Sequence, residues 1–328
     1  MRQSLLERCE TQIRNETALR KADRFEFEQL IKFGAFLYAS AGCEADAKRT
    51  KACRLVLQDR AFAFARFREP IKYVLQTKMA LSDDPVVFIE DVLDVYERLR
   101  EGGMLPSEVL AMVAVAIVEN CPADRRDAVV EKTTAEYEKV KGLGEPLASG
   151  PDMLLIVLAV MADKEIDQVA GEVAELFREL KGKYRLDTNV ALYVAMVLAF
   201  SNKPADDKVA GFFRLFDACD KAGHATSADN LMVVYAVFAD SEYDLGYLVA
   251  AIGEADEWLK KKKGYGSFGV GGYGRCLFAA LLAFEDIKPD CIAAASDDAS
   301  EMADALVEDP VPILTMLILV FVVASKAR

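Results

Sequence analysis

The feature that most constrains this chain is an internal echo. The run Gly150-Pro-Asp-Met-Leu-Leu-Ile-Val-Leu-Ala-Val-Met-Ala162 is almost purely apolar behind a polar leading edge. Asp187-Thr-Asn-Val-Ala-Leu-Tyr-Val-Ala-Met-Val-Leu-Ala199 restates the pattern. Equivalent positions fall at Leu30, Ile71, Leu110, Met153, Val190, Asn230, Gly274 and Thr315. The shortest step between them, Met153 to Val190, is 37 residues and the longest, Asn230 to Gly274, is 44. A mean step of about 41 residues is the signature of stacked helical hairpins, each too small to bury its apolar face alone.

Between the apolar stretches lie amphipathic ones with a shared ending. Tyr96 and Leu99, Tyr137 and Val140, Phe177 and Leu180, and Phe216 and Cys219 each lie three apart, on one face of a helix. Arg100, Lys141 and Lys181 follow three of these pairs, where the helix dipole favours a cation. Gly102, Gly142 and Gly182 come next as C-terminal punctuation. The fifth copy, Trp258-Leu259-Lys260, breaks the aromatic register. Asp84-Pro85, Cys121-Pro122, Lys203-Pro204 and Lys288-Pro289 mark the turns from apolar to amphipathic helix. No segment alternates with period two, so essentially no sheet is expected.

The expected fold is therefore all-α: an array of about eight helical hairpins in a single domain spanning 1–328. An N-terminal helix occupies 1–28, core repeats 30–286, and a divergent C-terminal hairpin 287–328. Leu154 to Met161, Ala191 to Ala199 and Leu231 to Ala239 are apolar all round. A helix apolar on every side is covered on every side. That requirement suits a tightly wound α–α superhelix or a closed α/α toroid, with the apolar helices inside and the amphipathic ones outside.

Composition excludes some partners. With 53 acidic against 40 basic residues the net charge is -13. Sequence-independent binding to nucleic acid needs clustered Lys and Arg, so none is expected. The stretch 313–324 is too short to cross about 30 Å of hydrocarbon. It is expected to be a docked terminal helix rather than a tail anchor, with no membrane as partner. None of the seven cysteines forms a C-x-x-C pair. They are expected as small buried hydrophobes in a reducing cytoplasm.

The helix openings Ala148-Ser149-Gly150-Pro151-Asp152 and Leu186-Asp187-Thr188-Asn189 carry a resemblance, together with the aromatic-x-x-Leu-Lys endings and the order of units from Leu30 to Asp286. They resemble the uncharacterised bacterial family catalogued as domain of unknown function 4003. That resemblance implies an all-helical cytoplasmic protein and supplies no activity, cofactor or catalytic residue. After Asp286 the acidic, alanine-rich sequence departs from it.

Three features could carry chemistry. His224, the one histidine, reads as an exposed loop residue, and Ser227 and Asp229 beside it read as caps rather than triad partners. Gly264-Tyr-Gly-Ser-Phe-Gly-Val-Gly-Gly-Tyr-Gly274 contains G-x-G-x-x-G, but a lysine-rich helix precedes it where the dinucleotide motif needs a strand. Its ordinary role is a linker; its functional one is a mobile contact loop through Tyr265, Phe268 and Tyr273. Lys260 to Lys263 and Arg275 could then hold an anion at the next helix N-terminus. Asp152, Asn189 and Asp229 occupy equivalent positions one residue before their repeat anchors. First-turn capping explains them, with Ser149-x-x-Asp152 and Thr226-x-x-Asp229 as capping boxes; binding a cation or polar ligand is the alternative.

No catalytic constellation, metal ligand set or cofactor motif emerges. The expected function is a non-catalytic binding or scaffold protein for an unknown protein or small polar ligand. The alternative is an α/α-toroid enzyme acting through cavity-mouth carboxylates on a polar or sugar-like substrate.

Overall fold

The helix starts explain why the repeat folds as it does. Asp84 caps one amphipathic helix, its carboxylate accepting from Val86 N at 2.9 Å and Val87 N at 3.2 Å, with Pro85 in the first turn. Ser107 caps an apolar helix by accepting from Leu110 N at 3.0 Å. Asp187 and Asp244 do the same for Asn189 N and Tyr247 N. Each cap satisfies a backbone donor that the first helical turn leaves orphaned.

The computed structural model describes residues 1–22, 26–60, 69–142, 150–201, 203–226, 229–239 and 244–294. Among them are fourteen helices and no strand. After α1 (Gln3–Ala22), apolar and amphipathic helices alternate. The apolar set is α2 (Glu28–Ser40), α4 (Glu69–Leu81), α6 (Glu108–Asn120), α8 (Gly150–Met161), α10 (Thr188–Ala199), α12 (Asp229–Phe238) and α14 (Gly271–Ala294). The amphipathic set is α3 (Ala47–Arg60), α5 (Pro85–Glu101), α7 (Ala123–Gly142), α9 (Ile166–Tyr184), α11 (Ala205–Lys221) and α13 (Leu245–Lys260). One helix of each kind per repeat is what the 41-residue step requires.

The chain forms two compact units. Among the described residues one contains Met1–Lys48 and those from Glu172 onward, the other those of Arg49–Gly171, so the boundaries fall within α3 and α9. In the second unit α6 packs against α4, α5, α7 and α8. Every residue from Leu110 to Val118 is accordingly buried. In the first unit α12 packs against α10, α11 and α14, while α1 lies against α2, α13 and α14. The amphipathic helices bury one stripe each: Val92, Val95, Tyr96 and Leu99 on α5, and Val209, Phe212, Leu215 and Cys219 on α11.

Two expected boundaries move. Gly182 does not end α9; the helix runs two residues further and stops where Arg185 enters the left-handed region at φ 55°. Pro289 does not mark a turn, because α14 continues through it to Ala294. Proline lacks one backbone donor, and the rest of the helical ladder carries on past it. The stretch 313–324 and the anchor Thr315 lie outside the described residues, as do 143–149 with the proposed cap Ser149. None of the described helices is long and apolar enough to cross a membrane.

Leu158 sits mid-helix in α8 at 2% exposure. Leu158→Ala should cost about 2–5 kcal/mol, because the lost side chain leaves a cavity in a covered helix. Urea unfolding of the variant against the parent protein measures it; a loss below about 1 kcal/mol would show the site to be far less enclosed.

Candidate functional site

In the first unit, the turn from α11 to α12, the face of α13 and the first turn of α14 enclose a cleft of about 970 Å³. Its walls are small where they approach one another: Gly223, Gly246, Gly253 and Gly272 all line it. The side chains that could bind are His224, Glu254, Asp256, Glu257, Tyr273 and Arg275.

His224 is half-buried rather than exposed as the loop sequence suggests. Its ring lies on Gly253, where an added Cβ would meet Cε1 at 2.6 Å. Its Nε2 is 3.0 Å from the Val249 carbonyl oxygen. A carbonyl only accepts, so Nε2 carries the hydrogen, and in the neutral form of the ring Nδ1 is then an acceptor. The partner that makes room for the ring is a glycine on α13, 29 residues further along the chain, which no local pattern reveals.

Arg275 and Asp256 form a bidentate pair, Nε to Oδ1 at 2.8 Å and Nη2 to Oδ2 at 3.0 Å, with both side chains mostly buried. Arg275 Nη1 also donates to the Tyr265 carbonyl at 3.2 Å. The expected anion-binding cation is thus already held by a carboxylate, and its fork geometry positions α13, α14 and the glycine loop together. Cys276 lines the cleft, yet burial above all, then Asp256, raises its thiol to about 11. It is a protonated, weakly nucleophilic group there.

The glycine loop is anchored, not loose. Val270 N donates to Gly264 O at 3.1 Å and Gly269 N to Gly266 O at 2.9 Å. Tyr265, expected as a contact residue, is fully buried. Its hydroxyl donates to the Glu16 carboxylate and accepts from Gln12 Nε2. Under its ring, 3.6 Å from the centroid, lies the Lys32 ammonium, with no exposed surface. Lys32 pairs with Glu16 at 2.6 Å and Glu28 at 3.1 Å, and Arg20 pairs with Glu28. Gln12 Nε2 donates to the Lys32 carbonyl at 2.9 Å. Two cations, two carboxylates, the Gln12 amide nitrogen and a phenol so engage one another, while the buried Gln12 Oε1 has no hydrogen-bond partner among the described residues. Burial pushes the Tyr265 hydroxyl well above its ordinary range, helped by Glu16. Burial also works to raise Glu28, but hydrogen bonds from Arg20 and Lys32 overcome it and hold the carboxyl low.

Of the five residues singled out from sequence, Tyr273 and Arg275 line the cleft. Asn189 is exposed in the first turn of α10, and the cap there is Asp187. The side chains of Asp152 and Asp229 lie outside the described residues. The Thr226 hydroxyl donates to Asp220 Oδ1 at 3.2 Å. No group of three His, Cys, Asp or Glu among the described residues could hold a metal.

A family model described as Protein of unknown function (DUF4003) matches residues 17–287. No curated protein and no solved structure matches the chain.

Because Glu28 titrates below its ordinary carboxyl value of 4.5 in the folded state, its contribution is present above that pH and lost as pH falls through the lower folded value. Glu28→Gln should therefore be less stable than the parent near neutrality, with the gap narrowing on acidification; urea midpoints across a pH series measure this. Native thiol labelling gives a second check. Cys43 is exposed and should react first, whereas Cys276, Cys219 and Cys9, the last raised to about 12, should stay unmodified in peptides mapped by mass spectrometry.

Proposed function

The chain belongs to the DUF4003 family of proteins of unknown function, and from that premise we propose that it is a non-catalytic binding protein. Its occupant is a small polar molecule rich in hydrogen-bond donors, held in the cleft between the α11–α12 turn, α13 and α14. The observation that carries this reading is the lining of that 970 Å³ cleft. Glu254 and Glu257, which pair with the Met1 ammonium and with Lys260, keep further carboxylate lone pairs to offer, as does the Nδ1 of a neutral His224, and the one guanidinium among them is tied to Asp256. A hydroxylated or amine-bearing molecule matches that set, and a bare anion does not.

The absence of catalysis in this proposal rests on the engagement of each reactive group. The His224 Nε2 is committed to a helix carbonyl, and the Cys276 thiol is kept protonated by burial. A nucleophile needs an adjacent base or a lowered pKa, and the burial of Cys276 works the other way.

We further propose that the alternating helices stack as hairpins, in a tightly wound α–α superhelix or an α/α toroid. Support comes from the strict alternation of helix types and, within the first unit, from the packing of α2 against α14. We place the protein in the cytoplasm, where the six described cysteines, all free thiols, would persist.

The test is a thermal-shift screen of polyols, sugars and amines, followed by Gly272→Leu. A Cβ at Gly272 meets nothing within 4 Å, so the leucine fills the cleft without straining the fold. A ligand at about a hundred times its Kd should stabilise the parent by about 2.7 kcal/mol, leave Gly272→Leu unshifted, and be recovered unchanged. A donor-rich hit that stabilises both proteins equally, or one that is consumed, would sink the proposal.

A further inference from the structure

The loop between α13 and α14 holds an aromatic ring in water by construction. Phe268 is fully exposed, although the loop around it is pinned by the buried Tyr265 and by its own hydrogen bonds. A flexible loop could fold such a ring inward; this one keeps it out. Gly269 lies so close to Gly264 that an added Cβ would meet its Cα at 2.8 Å. Lys263 and Phe268 each immediately precede one of these two glycines, so the loop closure brings them to the same lip.

The charge at this lip runs against the rest of the molecule. Lys260 to Lys263 are consecutive in a chain of net charge -13. Lys260 pairs with Glu257, and Lys262 lies 3.9 Å over the Trp258 ring. Lys261 and Lys263 are exposed cations. Two carboxylates beside the loop, Glu28 and Glu257, are each held by a cation of their own. At physiological ionic strength charges beyond about 8 Å are screened, so the net charge of the whole chain does not decide what meets this lip.

From this geometry we propose that the α13–α14 loop is a peripheral docking point for an anionic lipid surface, with Phe268 entering the interface and Lys261 and Lys263 meeting the headgroups. A convex ring on a rigid turn presents no groove to a peptide, whereas a bilayer interface deforms around a ring and rewards flanking lysines. The contact is reversible and confined to the surface.

Cosedimentation of the full chain with phosphatidylcholine vesicles, with and without about 30 mol% phosphatidylserine, tests it. Binding should require the anionic lipid and fall as salt rises to about 0.5 M. Lys261→Gln and Lys263→Gln should each weaken it about fivefold. Phe268→Ser should weaken it without changing the thermal midpoint, since the ring touches no core. Failure to bind the anionic vesicles overturns the proposal. So does binding that is equal on both lipids or indifferent to all three substitutions. None of these results bears on the cleft, whose ligand test reads Gly272→Leu.

Discussion

A helix with no polar face has to be wrapped by protein on all sides, and that single constraint organises this molecule. In α6, nine consecutive residues from Leu110 to Val118 are buried, which is possible only because four other helices surround it. Polar chemistry has no place along such a helix. It is driven to the ends and the turns, and the cleft is built there: from the α11–α12 turn, the first turn of α14, and a glycine-bearing face of the half-amphipathic α13. The position of the candidate site is thus a consequence of how the core is covered.

The exception proves instructive. Lys32 lies on apolar α2 with no exposed surface, and an unpaired ammonium there would be untenable. Glu16 from α1, Glu28 one turn away and the Tyr265 ring meet it from three directions. Such a buried network adds little net stability over an apolar replacement, because desolvation offsets the attraction. What it does here is define registration. The charges and the phenol pair only when α1, α2 and the glycine loop meet in this placement, and Arg275, bonded to both Asp256 and the Tyr265 carbonyl, extends that placement to the cleft wall.

The helical period was legible because it is a local property: every turn of Leu154 to Met161 announces its own burial. The turn at Asp84-Pro85 was legible for the same reason. The site was legible only in part. Tyr273 and Arg275 stood out beside the glycine run, but the partners that define their surroundings do not lie next to them in sequence. Arg275 and Asp256 are 19 residues apart, and Tyr265 and Glu16 are 249 apart. Tyr265 looked like a surface contact because its neighbours are glycines, yet Lys32 and Glu16 supplied a buried place for its hydroxyl. His224 looked exposed because its loop is polar, while Gly253 had left room for its ring. In each case a tertiary partner overrode a local signal.

The irregularity of the array is as informative as its regularity. The longest step in the repeat, 44 residues from Asn230 to Gly274, is the one that carries the glycine loop, and its amphipathic helix is the one that exchanges the usual ending for Trp258-Leu259-Lys260. Added residues in a repeat array emerge at helix ends, where they lengthen turns without disturbing the stacked core. Here they produce a turn with an inward anchor, Tyr265, and an outward ring, Phe268, and they bring α13 and α14 together around the cleft. A strictly periodic chain would have had neither the space lined by Gly253 and Gly272 nor the lip bearing Lys261 and Lys263. The departure from the period is therefore where the cleft and the glycine loop are built, while the other helices serve mainly to cover one another.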